Sequence, residues 1–339
     1  MKTHVRLGLG VLALLGAQGC LMPPEDDGRQ FREAIPRAEA IQINGPESAA
    51  ASNQTQGFEA LSGAQADEPW ADGPWSYWYG FTRHVRSGVN KVTAAVLGSV
   101  WLIVHTRPTS VSSSEAIWGP YTDALEPVTY RLRVTRIAAK TYEYRLEGRP
   151  RTSADDADYV AVLFGTGFGR GHESHGDGSF TIDIDAARSL DPFAVDAKDS
   201  GKVTITHDLP PTITQNLFIG ARTVKADVLP SSSEQAFSVA STTEEDGSGT
   251  LAVSAKADAD DSGGAALEDV SVKSRWATTG AGRSDITISG GDLPTELGTV
   301  KATECWSESF QSVYVGYSAN VTWAEAEGSE SACVFASAE

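Results

Sequence analysis

The sequence predicts a mainly β protein: an N-terminal long helix packed on a large curved antiparallel β-sheet, an incomplete barrel of about a dozen strands. Three observations predict it. From residue 116 onward apolar side chains recur at every second position. Over 75–105 they recur instead at spacings of three and four. Clusters of Gly, Asp, Ser and Pro separate the alternating runs, which is turn chemistry.

The helix is read from Trp78, Phe81, Val85, Val89, Val92, Val96, Val100 and Ile103, which fall on one face of a 3.6-residue period. Pro74 precedes the segment and Pro108 follows its expected end. Gly80, Gly88 and Gly98 weaken it, each by about 1 kcal/mol relative to Ala. A strand pair over 89–105 is the alternative.

The strands are read from runs such as Tyr130-Leu132-Val134, Tyr142-Tyr144-Leu146, Phe180-Ile182-Ile184 and Val203-Ile205. Further runs are Leu251-Val253-Ala255, Ile286-Ile288 and Val313-Val315-Tyr317. Polar residues fill most positions between, as half-buried antiparallel strands require. A faint echo links GDGSFTIDID, GSGTLAVSA and GRSDITISGG: each sets a glycine-containing turn before a short alternating strand. Gly165, Gly167, Gly169 and Gly171 put four glycines on one side of one strand, which requires close approach of another backbone or a sharp bend. With Gly80, Ser87, Gly88, Ala95 and Gly98 on the helix, the expectation is that the helix crosses the sheet over this strip; curvature alone is the alternative.

Residues 1–20, MKTHVRLGLGVLALLGAQGC, have the layout of a secretory signal, with Lys2 and Arg6 ahead of a short apolar run. A spanning helix needs about 20 apolar residues. No later segment matches this hydrophobicity, so none is expected to span a bilayer. Ala17-Gln18-Gly19-Cys20 resembles the lipobox of bacterial lipoproteins, with Ala17 where Leu is usual. The resemblance implies cleavage before Cys20, lipidation of that cysteine and a membrane anchor; ordinary cleavage leaving a free thiol is the alternative. Leu21 and Met22 replace the Asp that retains enteric members at the inner membrane, which implies an outer-membrane-anchored protein of the cell envelope, on its periplasmic or surface face.

The expected organisation is a signal peptide over 1–19, the lipidated cysteine and a disordered tether over 20–74, and a single helix-plus-β-meander domain over 75–339. Composition supports the tether, which is rich in Ala, Gly, Ser, Pro and acids. QFREAIPRAEAIQ at 30–42 allows a helical turn or two, interrupted by Pro36. The chain carries 27 Lys+Arg against 45 Asp+Glu, a net charge of −18. Such a surface repels phosphate backbones, so nucleic acid is excluded as a partner. Of the three cysteines, Cys305 and Cys333 remain once Cys20 is acylated, and an oxidising compartment favours a disulfide between them over two free thiols.

Catalytic and metal signatures are weak. His172, Glu173, His175 and Asp177 are all metal-ligand types, but H-E-x-H is not the spacing that sets two histidines on one helical face. The acidic runs at 155–158 and 258–264 lack the calcium-loop pattern and read as solvated turns. No phosphate-cradling loop, dinucleotide fingerprint or nucleophile elbow is present. No enzyme and no cofactor are therefore expected, an envelope hydrolase being the weakest reading. The aromatic run WSYWYGF at 75–81 reads as core packing at the helix start, with a ligand-facing or membrane-facing belt through Trp75, Trp78 and Phe81 as the alternative.

Gly280 to Arg283, followed by Glu304, Cys305, Trp306 and Phe310, resembles a motif of uncharacterised lipoproteins of myxobacteria. No activity comes with that resemblance. Arg283 is expected to pair with Asp285 or Glu304. A long helix followed by a curved meander also resembles, in architecture alone, the Lol-type lipid-carrier lipoproteins. That implies a lipid or other apolar ligand held in the sheet. The rival is a structural or interaction lipoprotein whose core is filled.

Overall fold

The computed structural model describes residues 28–43, 75–169, 176–193, 195, 199–209, 212–214, 217–231, 236–259, 266–322 and 324–337. Among the described residues the chain is mainly β, with one long helix ahead of seventeen strands paired antiparallel. It divides into two compact units. The first holds the described residues up to Gln42, Asn90–Gly220 and Val228–Ser232; the second holds Ile43–Val89, Ala221–Asp227 and the chain from Ser233.

In the first unit, β1 (Ser110–Val111), β2 (Glu115–Tyr121), β3 (Val128–Ala138), β4 (Thr141–Pro150), β5 (Val160–Gly169), β6 (Gly176–Asp183) and β7 (Lys202–Leu209) each pair with the next. A separate hairpin joins β8 (Thr212–Thr214) to β9 (Leu217–Ile219). The expected alternation is present: Leu132, Val134, Tyr144, Phe180, Val203 and Ile205 are buried. Ile184 departs from it. The strand stops at Asp183, whose carboxylate accepts from the Ala186 N–H at 3.0 Å and caps a short helix over Ile184–Leu190. An N-cap Asp ahead of a strong helix-forming run overrides the alternation.

The glycine strip on β5 does admit another backbone, but not that of the long helix. Residues 28–43 form a strap in which α1 (Arg29–Arg32) and α2 (Ala38–Ile41) flank Pro36. Helix α1 lies against β3, the Phe31 ring meets Tyr142 of β4 edge-on at 5.9 Å, and α2 lies against β7. Between them the Ala34 carbonyl sits where a side chain on Gly167 would be, 2.5 Å from the Cβ position. At Gly165 that space is taken by the Tyr144 ring and the Ser179 carbonyl. The composition-based expectation of a disordered tether therefore fails over 28–43: Phe31, Ile35, Ile41 and Ile43 are at most 1% exposed. Burying each contributes about 2 kcal/mol toward offsetting the entropy cost of ordering the segment.

In the second unit, β11 (Phe237–Thr243), β12 (Gly249–Ala257), β13 (Glu268–Trp276), β14 (Gly282–Ser289), β15 (Thr299–Trp306), β16 (Ser312–Tyr317) and β17 (Glu327–Gly328) follow one another antiparallel. Strand β10 (Arg222–Leu229) lies mostly in this unit as well. Val253, Val272 and Ile286 form its buried face. Tyr317, expected to point inward, is 42% exposed at the end of β16, beyond the residues that pair with β17.

The long helix α3 (Tyr77–Val104) forms as its spacing predicts, and the strand pair over 89–105 does not. Phe81, Val85, Val89, Val92 and Val100 are buried; late in the helix Leu97 and Val104 are buried in place of Val96 and Ile103. A buried face drifts this way when it follows 3.6 residues per turn. Contrary to the expectation from hydropathy, α3 is long and apolar enough to cross a bilayer by length and composition, with a mean hydropathy of 1.4 over its most apolar window, 44% of which is buried.

Candidate functional site

A constellation of polar and aromatic groups lies in the second unit, at the N-terminus of α3. Four N–H groups at a helix start have no partner within the helix. Here Ser76 Oγ accepts from the Tyr79 N–H at 3.1 Å, and a Glu304 carboxylate oxygen accepts from the Trp78 N–H at 2.8 Å. The Ser76 N–H donates in turn to the Phe310 carbonyl at 2.8 Å. Glu304 thus brings a negative charge to the positive end of the helix dipole.

Aromatic rings close the same junction. Tyr79 stacks on Phe310 with centroids 4.3 Å apart, and Trp75 stacks on Phe310 at 5.9 Å with planes 9° apart. Trp306 lies 6.0 Å from Tyr79. Phe310 reaches this position at φ 62, in the left-handed region that a bulky residue rarely occupies. One turn on, a buried hydroxyl chain fixes the helix to the sheet. Thr82 Oγ1 donates to the Trp78 carbonyl at 2.7 Å, so it must accept from Ser274 Oγ at 2.6 Å; Ser274 then accepts from Ser284 Oγ at 2.8 Å.

The motif noticed near the C-terminus therefore acts as a clasp on the helix. Glu304, Trp306 and Phe310 hold α3, and Cys305 between them is joined to Cys333 with Cα atoms 5.5 Å apart, the expected disulfide. Arg283, 2% exposed, pairs with Asp285 at 2.8 Å and with Glu330 at 3.4 Å. Its other expected partner, Glu304, is taken by the helix. Of the aromatic candidates, Phe81 is buried and meets Trp78 edge-on at 5.1 Å, whereas Trp75 and Tyr77 are 42% and 38% exposed.

The sequence echo has a structural counterpart. Gly249 pairs in register with Trp276, and Gly282 with Trp306. Each indole covers its glycine, and each indole N–H donates to the carbonyl two residues before it: Trp276 to Gly247 at 3.0 Å, Trp306 to Gly280 at 2.9 Å. In the first unit Gly178 pairs with His207, whose Nε2 is 3.2 Å from the glycine's Cβ position. Nothing in the sequence around His207 sets it apart, and the HDLPP run it opens has turn composition. The histidine is 3% exposed and neither ring nitrogen has a hydrogen-bond partner of good geometry. Burial pushes its pKa down to about 4, more than the Gly176 backbone and the Asp177 carboxylate raise it. The space beside it, lined by Glu33, Ala34, Pro36 and Asp177, is about 10 Å³, no more than one water requires.

Among the metal-ligand candidates, Asp177 lies on β6, while His172, Glu173 and His175 fall outside the described residues, as does Cys20. No group of three His, Cys, Asp or Glu among the described residues is placed to hold a metal ion. The acidic turn at 155–158 is engaged within the protein: Asp155 accepts from the Ala157 N–H, and Asp156 pairs with Arg131 and Arg149, each at 3.2 Å. No family model, curated protein or solved structure matches the chain.

Proposed function

We infer that the chain is an envelope lipoprotein anchored through acyl chains on Cys20, and that its β-rich part is a structural or interaction module and not a lipid carrier. One observation carries the second half of this reading. Much of the aromatic run that a carrier would turn toward a ligand packs at the start of α3: Phe81 is buried against Trp78, and Tyr79 and Trp75 both stack on Phe310, with Trp75 and Tyr77 keeping an exposed edge. The anchor reading rests on the lipobox resemblance at Ala17 to Cys20. Two or more acyl chains suffice for stable attachment, at about 0.8 kcal/mol per buried methylene.

The test is fractionation of envelopes from cells making the wild type or Cys20→Ala, followed by lipid extraction of the purified protein. The reading expects the wild type in the membrane fraction, the variant in the soluble fraction, and no lipid beyond the anchor. Equal amounts of a free lipid and protein would restore the carrier.

A further inference from the structure

We propose that the strap over residues 28–43 sets how far the folded protein stands from the membrane, because it docks the chain to the first unit eight residues after the anchor. The proposal rests on the lipoprotein reading of Cys20. The dock itself does not: it is built from the Phe31 ring on Tyr142, the Ala34 carbonyl in the side-chain space of Gly167, and the burial of Ile35 and Ile41. Gly167 is the residue that makes the seat, since any Cβ there would displace the strap backbone.

Covalent geometry gives the consequence. A chain spans at most about 3.5 Å per residue, so the eight residues from Cys20 to Gly28 reach at most roughly 28 Å. An undocked tether running to Trp75 would reach on the order of 190 Å by the same measure. With the strap seated, the span from Cys20 to Gly28 bounds the distance between the bilayer and the first unit, and chain length added after the strap cannot raise that bound.

The experiment places twenty Gly/Ser residues at either of two points in the full lipidated chain: between Asp26 and Asp27, before the strap, or between Ala50 and Ala51, after it. With twenty such residues the mean reach of the eight-residue segment rises from about 16 Å to about 29 Å. A donor dye at Ala139→Cys, in the exposed β3–β4 turn, reports energy transfer to an acceptor lipid in phosphatidylethanolamine–phosphatidylglycerol vesicles. Insertion before the strap should lower transfer at least twofold, and insertion after it should leave transfer unchanged. Equal loss from both insertions, or from neither, overturns the proposal. A wild-type chain that carries no acyl mass and stays off the vesicles instead overturns the lipoprotein reading, and the two failures are told apart by the mass of the N-terminal peptide.

Discussion

The indole of Trp306 covers Gly282 on the neighbouring strand and donates its N–H to the carbonyl of Gly280 at 2.9 Å. Trp276 treats Gly249 and Gly247 in the same way. In both pairs the glycine is required by the ring: the Cβ position of Gly249 is 2.5 Å from Trp276 Cζ2, and that of Gly282 is 2.5 Å from both the Arg275 carbonyl and Trp306 Cε2. Each pair seals one end of a hairpin with a large apolar surface and a satisfied polar group.

Gly282→Ala should therefore be costly although the substitution is small. Overpacking against a fixed backbone oxygen and an indole costs about 1–3 kcal/mol. Urea unfolding monitored by tryptophan fluorescence reads the loss directly. A loss below about 0.5 kcal/mol, the range of ordinary surface changes, would show that the pair is not close-packed.

Removing the charge from Glu304 tests the clasp. Glu304→Gln keeps an acceptor for the Trp78 N–H but loses the interaction with the helix dipole, and should cost about 1 kcal/mol. Glu304→Ala also leaves that N–H unpaired and should cost about 2–3 kcal/mol. If the two variants are equally stable, the hydrogen bond contributes nothing.

Reduction of Cys305–Cys333, or Cys333→Ser, should lower stability by about 3.5 kcal/mol, the chain-entropy value for a loop of this size. Thermal unfolding with and without reductant measures it. Because Cys305 lies between Glu304 and Trp306, the same change should weaken the hold on α3, which would appear as faster amide exchange at Trp78 and Tyr79.

His207 predicts an acid limb. Its pKa is about 4 in the folded protein and 6.5 when unfolded. Above pH 6.5 it is neutral in both states and contributes no pH dependence. As pH falls from 6.5 to 4 the unfolded chain takes up a proton that the folded one does not, so stability declines, and the loss is complete near pH 4. A lowering of this size corresponds to about 3 kcal/mol. His207→Phe should remove this part of the pH dependence. An unchanged slope between pH 6.5 and 4 would assign it to other groups.

Some of this was legible in the residues alone. The alternation around Leu251 and Val253, the spacing from Phe81 to Val100 and the pairing of Cys305 with Cys333 all follow from rules that act locally or by elimination. The helical turns on either side of Pro36 were legible, but the docking of the strap was not, because Phe31, Ile35, Ile41 and Ile43 have no single period and lie diluted among Ala, Glu and Arg. The glycines of β5 announced a close approach but not its partner, since small residues on α3 offered an equally good match. Glu304 lies 226 residues from Trp78, and no local pattern links a carboxylate to a helix start so distant. His207 became distinctive only once the register set it against Gly178, where the parallel positions hold tryptophan.

The most direct test of a lipid-anchored protein with a filled core is the mass of the membrane-extracted protein, measured once native and once denatured. Such a protein has a denatured mass that includes covalent acyl chains on its Cys20 peptide, and a native mass identical to the denatured one. A denatured mass without acyl chains would contradict the anchor, and a native mass larger by one lipid would contradict the filled core.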